Sequence, residues 1–277
     1  MVFKLQKVSD YGTSNYIVAR TSVQISELLR PIQLEKEKDE KICELFFMKI
    51  QPRLIRCYEI SNKISGDLEK IDADLKENGI KTQSAGRVVE VPHVMQLTED
   101  VETYLYNAKS VLRDLAVLFE IFFNKKFDHS RYSDILKWAK EYFEKDHPIT
   151  KFIEANQPWL KDIVQRRNAV EHPGGYSGHL HIKNIEFVED KENSHFAPPT
   201  WHLNENPPTP IHNDIQVILR NILEFSEILF VLILQTIESP FPLKFYEIPE
   251  KEREEKAPVR FGVTIDLNNF KIKKNET

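Results

Sequence analysis

The sequence predicts a mainly α protein: an up-and-down helical bundle with a small β-hairpin insertion and an irregular C-terminal tail. Three observations carry that prediction. Apolar residues recur at helical spacing through most of residues 35–240. Glycine is scarce, at 8 of 277 residues, and none of it forms a Gly-rich phosphate loop. Between 174 and 212 the character changes, with several prolines and a period-two stretch, and six of the nine histidines fall between 172 and 212. The chain therefore divides into a preamble (1–34), a bundle (35–240, interrupted by the 174–212 insertion) and a charged tail (241–277).

In the preamble, Tyr16-Ile17-Val18 has the composition of a strand, and residues 22–29 that of a helical turn or two stopped by Pro31. Helical periodicity begins near Glu35. Leu45, Phe46 and Ile50 lead into Leu54, Ile55 and Tyr58. Pro52 should kink or break this segment, because it lacks an N–H and its ring crowds the carbonyl four residues back. Ile64, Leu68, Ile71 and Leu75 continue as a packing stripe, suited to a core or a dimer seam, until Asn78-Gly79 stops it. A loop over 79–93 holds Gly86 and Pro92.

The next helix is expected over 97–123. Its broad apolar face comprises Val101, Tyr104, Leu105, Ala108, Leu112, Leu115, Leu118, Phe119 and Phe122. Asp128 or Ser130 is placed to cap a helix carrying Ile135, Leu136, Trp138, Ala139, Tyr142 and Phe143. Pro148 opens a short helix over 149–155. Pro158 opens another, with Leu160, Ile163, Val164 and Val170 facing inward. In the insertion, Leu180-His181-Ile182-Lys183 alternates as a strand, with Trp201-His202-Leu203 as its partner and Pro207-Pro208-Thr209-Pro210 as the return. Asn213 or Asp214 caps the most hydrophobic helix, 215–237, whose C-terminal half is apolar almost all round and hence central. Pro240 and Pro242 end it. The tail holds a strand-like Val263-Thr264-Ile265 and finishes with Lys271-Ile272-Lys273-Lys274, either paired with the preamble or free.

Lys+Arg 38 against Asp+Glu 43 gives a net charge of −5, so any contact with nucleic acid must come from a local patch. Cys43 and Cys57 lie in helical segments and make neither a disulfide framework nor a metal site, which points to a reducing cytoplasm. The N-terminal Met-Val-Phe-Lys-Leu-Gln-Lys lacks the apolar run of a signal peptide. The longest apolar run, residues 228–234, falls far short of the ~18 residues that a membrane span requires. No membrane partner is expected. His179 and His181 share a strand face that His202 opposes, a conceivable zinc triad. No Cys or recurring acid completes it, so no metal and no cofactor are expected.

One stretch combines two side chains suited to phosphate chemistry: Arg167-Asn168-Ala169-Val170-Glu171-His172, followed by Pro173-Gly174-Gly175. Arg offers a permanent planar charge that matches two phosphate oxygens. His exchanges a proton near neutrality. The pattern resembles the Arg-x4-His motif of the HEPN superfamily, in its Arg-Asn-x-x-x-His form, and the order of helices around it resembles the HEPN bundle. At the level of architecture the resemblance covers about 35–240, and at the level of motif six residues.

That resemblance implies a metal-independent endoribonuclease acting as a homodimer in defence or stress response, under an antitoxin or other regulatory partner. His172 would be the general base on the ribose 2′-OH, with its mate or a water protonating the leaving 5′-oxygen. Arg167 would bind the scissile phosphate and stabilise its growing charge. Asn168 would orient His172 or the phosphate. RNA would be cut to 2′,3′-cyclic phosphate ends, and DNA would be inert. Residues five apart on a helix stand ~140° apart around its axis, so Arg167 and His172 meet only if the helix end unwinds at Pro173-Gly174-Gly175, or across a dimer. Arg166 and Lys161 are the nearest further cations placed to track the RNA backbone, with a solvated helix face as the plainer role for each. Where nucleotidylation-controlled toxins of that family carry a Tyr two residues after the His, this chain has Gly174, and Tyr176 comes two residues too late.

Two other readings of these six residues stand beside the enzyme. One is a binding module of the same fold that holds a nucleotide or RNA without cutting it. The other is a purely structural helical domain in which Arg167 pairs with Glu171, four residues on, and His172 complements the helix dipole.

Overall fold

The computed structural model describes residues 10–83, 88–127, 131–190, 194–239 and 241–266. The chain is mainly helical, with small antiparallel sheets. Gly86, Asp128, Ser130, Pro240, the N-terminal heptapeptide and the run Lys271-Ile272-Lys273-Lys274 lie outside the described residues.

Tyr16-Ile17-Val18 is helical rather than extended. Asn15 starts the helix, its Oδ1 accepting from the N–H of Ile17 at 2.9 Å and Val18 at 3.4 Å. From α1 (Tyr16–Val18) a π turn, Ala19–Val23, leads into α2 (Gln24–Leu29). Burial of Ile17 and Val18 overrides the strand propensity of β-branched residues. Similarly, α3 (Lys36–Cys43) passes through a second π turn, Glu44–Ile50, into α4 (Gln51–Asn78). Pro52 does not break this helix. Immediately before it, the Gln51 N–H donates to the carbonyl of Phe46, five residues back. This wider turn makes room for a ring that an ordinary α turn would crowd. Gly79, at φ +67°, ends α4 with its N–H on Leu75 O at 2.9 Å. Of the expected stripe, Ile64 is fully buried, whereas Leu68, Ile71 and Leu75 are half-buried.

A two-residue hairpin, β1 (Thr82–Gln83) with β2 (Val88–Val89), precedes α5 (Leu97–Leu115). The helix expected to run unbroken over 97–123 is interrupted at Ala116, where the Phe119 N–H turns back to Ala116 O, and resumes as α6 (Val117–Phe123). α7 is Tyr132–Tyr142. The two helices expected around Pro158 are one, α8 (Pro148–Glu171), with Pro158 inside it. Its missing hydrogen bond is outweighed by burial of Ile153, Leu160 and Ile163 on either side.

In the insertion, β3 (Leu180–Lys183) pairs with β6 (Thr200–Leu203) in the register His181↔His202 and Ile182↔Trp201, as the alternation suggested. β4 (Glu186–Val188) and β5 (His195–Ala197) form a second ladder between them, and β7 (Thr209–Pro210) adds to β6. α9 (Ile211–Leu234) begins before the expected Asn213 or Asp214 cap. The Asp214 carboxylate instead accepts from Trp201 Nε1 at 2.6 Å and from the Thr209 hydroxyl, tying the helix start to the sheet. β8 (Leu243–Glu247) and β9 (Phe261–Ile265) pair at the C-terminal end.

The residues gather in two compact units that are interleaved in sequence. The first comprises the described parts of Met1–Arg53, Val111–Gln157 and Leu223–Thr277. Its core includes Leu28, Leu45, Phe46, Phe119, Tyr132, Phe225 and Phe230, with Phe46 and Phe230 in edge-on contact at 5.1 Å. The strand-like tail pairs with β8, and Gln24 also holds it, its Oε1 accepting from the N–H of Arg260 at 2.6 Å and Phe261 at 2.8 Å. An ion pair, Arg20–Glu227, is buried here, and Gln24 Nε2 donates to Glu227 at 2.9 Å.

The second unit comprises the described parts of Leu54–Ser110 and Pro158–Ile222. Leu54, Ile60 and Ile64 from α4, Tyr104, Leu105 and Ala108 from α5, Leu160, Ile163 and Ala169 from α8, and Ile215, Leu219 and Ile222 from α9 form its core around Trp201. The Tyr104 hydroxyl donates to Ile215 O at 2.6 Å, fixing α5 against α9. Among the described residues, no helix is long and apolar enough to cross a membrane.

Candidate functional site

All six motif residues lie in the second unit, five of them on the last turns of α8 and His172 immediately after its end. Ala169 is buried and anchors the helix, which leaves Arg166, Arg167 and Asn168 half-buried and Lys161, Glu171 and His172 exposed. Arg167 Nη2 stands 3.2 Å from Glu171 Oε1, with 15% of the Arg167 side chain exposed. Its guanidinium lies 5.6 Å from the ring centre of Tyr106 on α5. Its Nε is buried without a hydrogen-bond partner among the described residues.

Lys109, also on α5, completes the arrangement. Its ammonium donates to Asn168 Oδ1 at 2.8 Å and to Glu171 Oε2 at 2.9 Å. The Asn168 side-chain oxygen is thus engaged by Lys109, whereas the resemblance assigns Asn168 to orienting His172 or the phosphate. Glu171 places one carboxylate oxygen on each of two cations. The Lys109 hydrogen bond holds the Glu171 carboxyl below the usual carboxylate range. Partial burial opposes this, while the charges of Lys109, Arg167 and His172 add to it. With the folded value depressed, the contribution of this carboxylate to stability is present above its unfolded value. It fades as pH falls through the lowered one.

The helix does not unwind inside the motif. The His172 N–H still donates to Asn168 O at 2.9 Å, so Arg167 and His172 keep the ~140° separation of an intact helix. One chain therefore does not bring the two together through its backbone. After His172 the chain turns tightly. The Gly175 N–H bonds His172 O at 2.9 Å, and Gly174 and Gly178 bond each other through the Gly174 N–H and Gly178 O at 3.0 Å. Tyr176 stands fully exposed at the tip. Gly178 has φ +77°, and a Cβ there would lie 1.9 Å from Asn204 Oδ1. That same oxygen accepts the His179 N–H at 2.9 Å. Gly178→Ala is expected to destabilise the protein by about 1–3 kcal/mol, from backbone strain plus displacement of Asn204, read as a lowered Tm in thermal unfolding.

The other sequence-predicted cations separate. Arg166 Nε donates to Asp162 at 2.7 Å and its guanidinium lies 4.5 Å over the Trp201 ring, so it braces the hairpin against α8 instead of facing solvent. Lys161 is exposed. On the hairpin, the His181 and His202 rings stack at 4.6 Å with His179 at 6.3 Å from His181, and His202 Nδ1 lies 2.5 Å from Asn204 O. Among the described residues, no three His, Cys, Asp or Glu side chains gather in a geometry that holds a metal ion.

Sequence reasoning missed Lys109, Tyr106 and Asn204. A faint signal existed for the first two. Tyr106 and Lys109 stand three apart and share a helix face beside the buried Leu105 and Leu112, where a polar pair borders an apolar stripe. Asn204 is a turn residue 25 positions from His179, and no local pattern marks it. No protein-family model, no curated protein and no solved structure matches this chain.

Proposed function

We propose that the chain is a HEPN-type, metal-independent endoribonuclease, its helical segments α4, α5, α8 and α9 forming the up-and-down bundle of that superfamily. The observation that carries this reading is the end of α8. There an exposed His172 follows the last turn of α8, on which Arg167, together with Lys109 of α5, already holds an oxyanion. In this reading His172 removes the proton from the ribose 2′-OH. Arg167 neutralises the charge that grows on the scissile phosphate, and the products carry 2′,3′-cyclic phosphates. Because Arg167 and His172 point ~140° apart on one helix, the active cleft is built by two copies of the chain. Lys161 tracks the RNA backbone, and Arg166 acts through the hairpin it braces. A regulatory partner of antitoxin type would cover the same cleft.

A second reading is favoured by a specific contact. Arg167 is mostly buried and paired with Glu171, as a non-catalytic binding or structural module of the same fold requires. RNA cleavage in EDTA separates the two. The enzyme reading expects wild type to cut RNA but not DNA of the same sequence, with cyclic phosphate ends, and Arg167→Ala to lose about 10²–10³-fold in rate. An intact RNA with the dimeric wild type, over several substrates, would leave the second reading in place.

A further inference from the structure

We infer that Lys109 and Arg167 form a two-cation site for an RNA phosphodiester, and that Glu171 occupies it as an internal stand-in for the phosphate. This inference rests on the proposed RNA-binding reading of the motif and extends it to a residue on another helix and to a built-in competitor.

The geometry is that of an anion site already holding an anion. Lys109 reaches Glu171 Oε2 at 2.9 Å from α5, and Arg167 reaches Oε1 at 3.2 Å from within α8. Two oxygens of one planar group thus each meet a separate cation. Two non-bridging oxygens of a phosphodiester demand the same arrangement. Asn168 Oδ1 takes a further Lys109 proton at 2.8 Å, which keeps the ammonium in place whichever anion it faces. Tyr106 supports the Arg167 guanidinium from the side. The Arg167 Nε, buried and without a partner among the described residues, is a donor that Glu171 leaves unused.

Glu171 also has the means to leave. It is the most exposed of the three, at 33% of its side chain against 27% for Lys109 and 15% for Arg167. It sits on the last residue of α8, next to the Pro173-Gly174-Gly175 turn. A carboxylate at a helix C-terminus faces the negative end of the helix dipole, so its position is owed to the two cations and not to the helix. A phosphodiester that displaces it takes over both cations and sends Glu171 to solvent.

The test is binding of a fluorescently labelled single-stranded RNA, followed by anisotropy across a salt series in EDTA. The full chain carries His172→Ala so that the probe stays whole. Glu171→Gln is expected to tighten binding about tenfold at low salt. Occupation of the freed site by one backbone phosphate should steepen the salt slope of the affinity by about 0.7, at ~0.7 per phosphate neutralised on a single strand. Adding Lys109→Met should remove most of the gain in affinity. Glu171→Asp, which keeps the charge but withdraws it from Arg167, should give an intermediate gain. It also supplies a second reading if the Gln variant folds poorly. Unchanged or weaker RNA binding in both folded Glu171 variants overturns the inference, because Glu171 is then only a helix-end ion pair. Cleavage by the His172-containing protein separates this outcome from failure of the nuclease reading. Wild type that cuts RNA while the Glu171 variants bind no better removes this inference alone. Tighter binding without any cutting keeps the phosphate site and removes the nuclease.

Discussion

His172→Ala is expected to lower the rate of RNA cleavage by about 10²–10⁴-fold, the usual contribution of a positioned general base, while RNA affinity changes by less than about threefold. The reason for the split is the geometry of α8. In the proposed site the phosphate-binding charges are those of Arg167 and Lys109, whose observed partners are Glu171, Asn168 and Tyr106 and not the imidazole. Removing the base therefore leaves the ground-state complex intact and takes away only the proton transfer, so kcat falls and KM stays. His172 is exposed, so the melting temperature should hold within about a degree. Single-turnover cleavage with mapped ends, run beside thermal unfolding, measures all three quantities. Cleavage by the variant at the wild-type rate would remove His172 from the mechanism. A matching loss of stability would turn the result into a folding effect.

Arg20→Met should be the most damaging single change in the first unit, at about 3–5 kcal/mol, because it strands a buried carboxylate. Glu227 is 1% exposed in its side chain and depends on Arg20, with Gln24 at 2.9 Å and Arg260 Nη1 at 3.9 Å as lesser supports. At ~2–4 °C per kcal/mol for a chain of this size, Tm falls by about 6–20 °C. The pH dependence has a definite sign. Burial pushes the Glu227 carboxyl up, while Arg20 first, and then Gln24 and Arg260, pull it back. A group whose folded value is raised above its unfolded value lends stability at low pH and loses it as pH rises through the folded value. Without Arg20 the carboxyl moves further up, so the variant's deficit should be smaller at pH 5 than at pH 8. Adding Glu227→Gln should restore most of the loss, since a neutral pair no longer buries an uncompensated charge. A double variant no more stable than the single one, by calorimetry at both pH values, would show that Arg20 acts through packing alone.

Part of this molecule was legible from local pattern. Asn78-Gly79 ends α4 because a left-handed residue is needed there and glycine supplies it. The alternation of Leu180-His181-Ile182-Lys183 set its pairing with Trp201-His202-Leu203, because side chains on a strand alternate faces and Trp201 and Leu203 must go inward. Val263-Thr264-Ile265 falls within a strand, as its β-branched residues favour. Pro148 opens a helix as its fixed φ suggests, but Pro52 and Pro158 do not end one. At Pro52 a π turn absorbs the ring, and at Pro158 buried neighbours carry the helix through, outcomes that depend on what packs around each residue.

The sequence by itself determined where helices and strands form in most of the chain, because periodicity, caps and turn residues act over a few positions. It also singled out Arg167, Asn168 and His172 as neighbours on one helix end. Only the tertiary structure decided what those residues face. Lys109 lies 62 positions from Glu171, and Arg20 lies 207 from Glu227, so each ion pair exists only because separate helices converge on it. The turn of Asn168 toward Lys109, the withdrawal of Arg166 onto Trp201 and the preference of Tyr16-Ile17-Val18 for helix have the same cause. In each, burial and charge pairing between distant segments outweigh local propensities that amount to about 1 kcal/mol or less per residue.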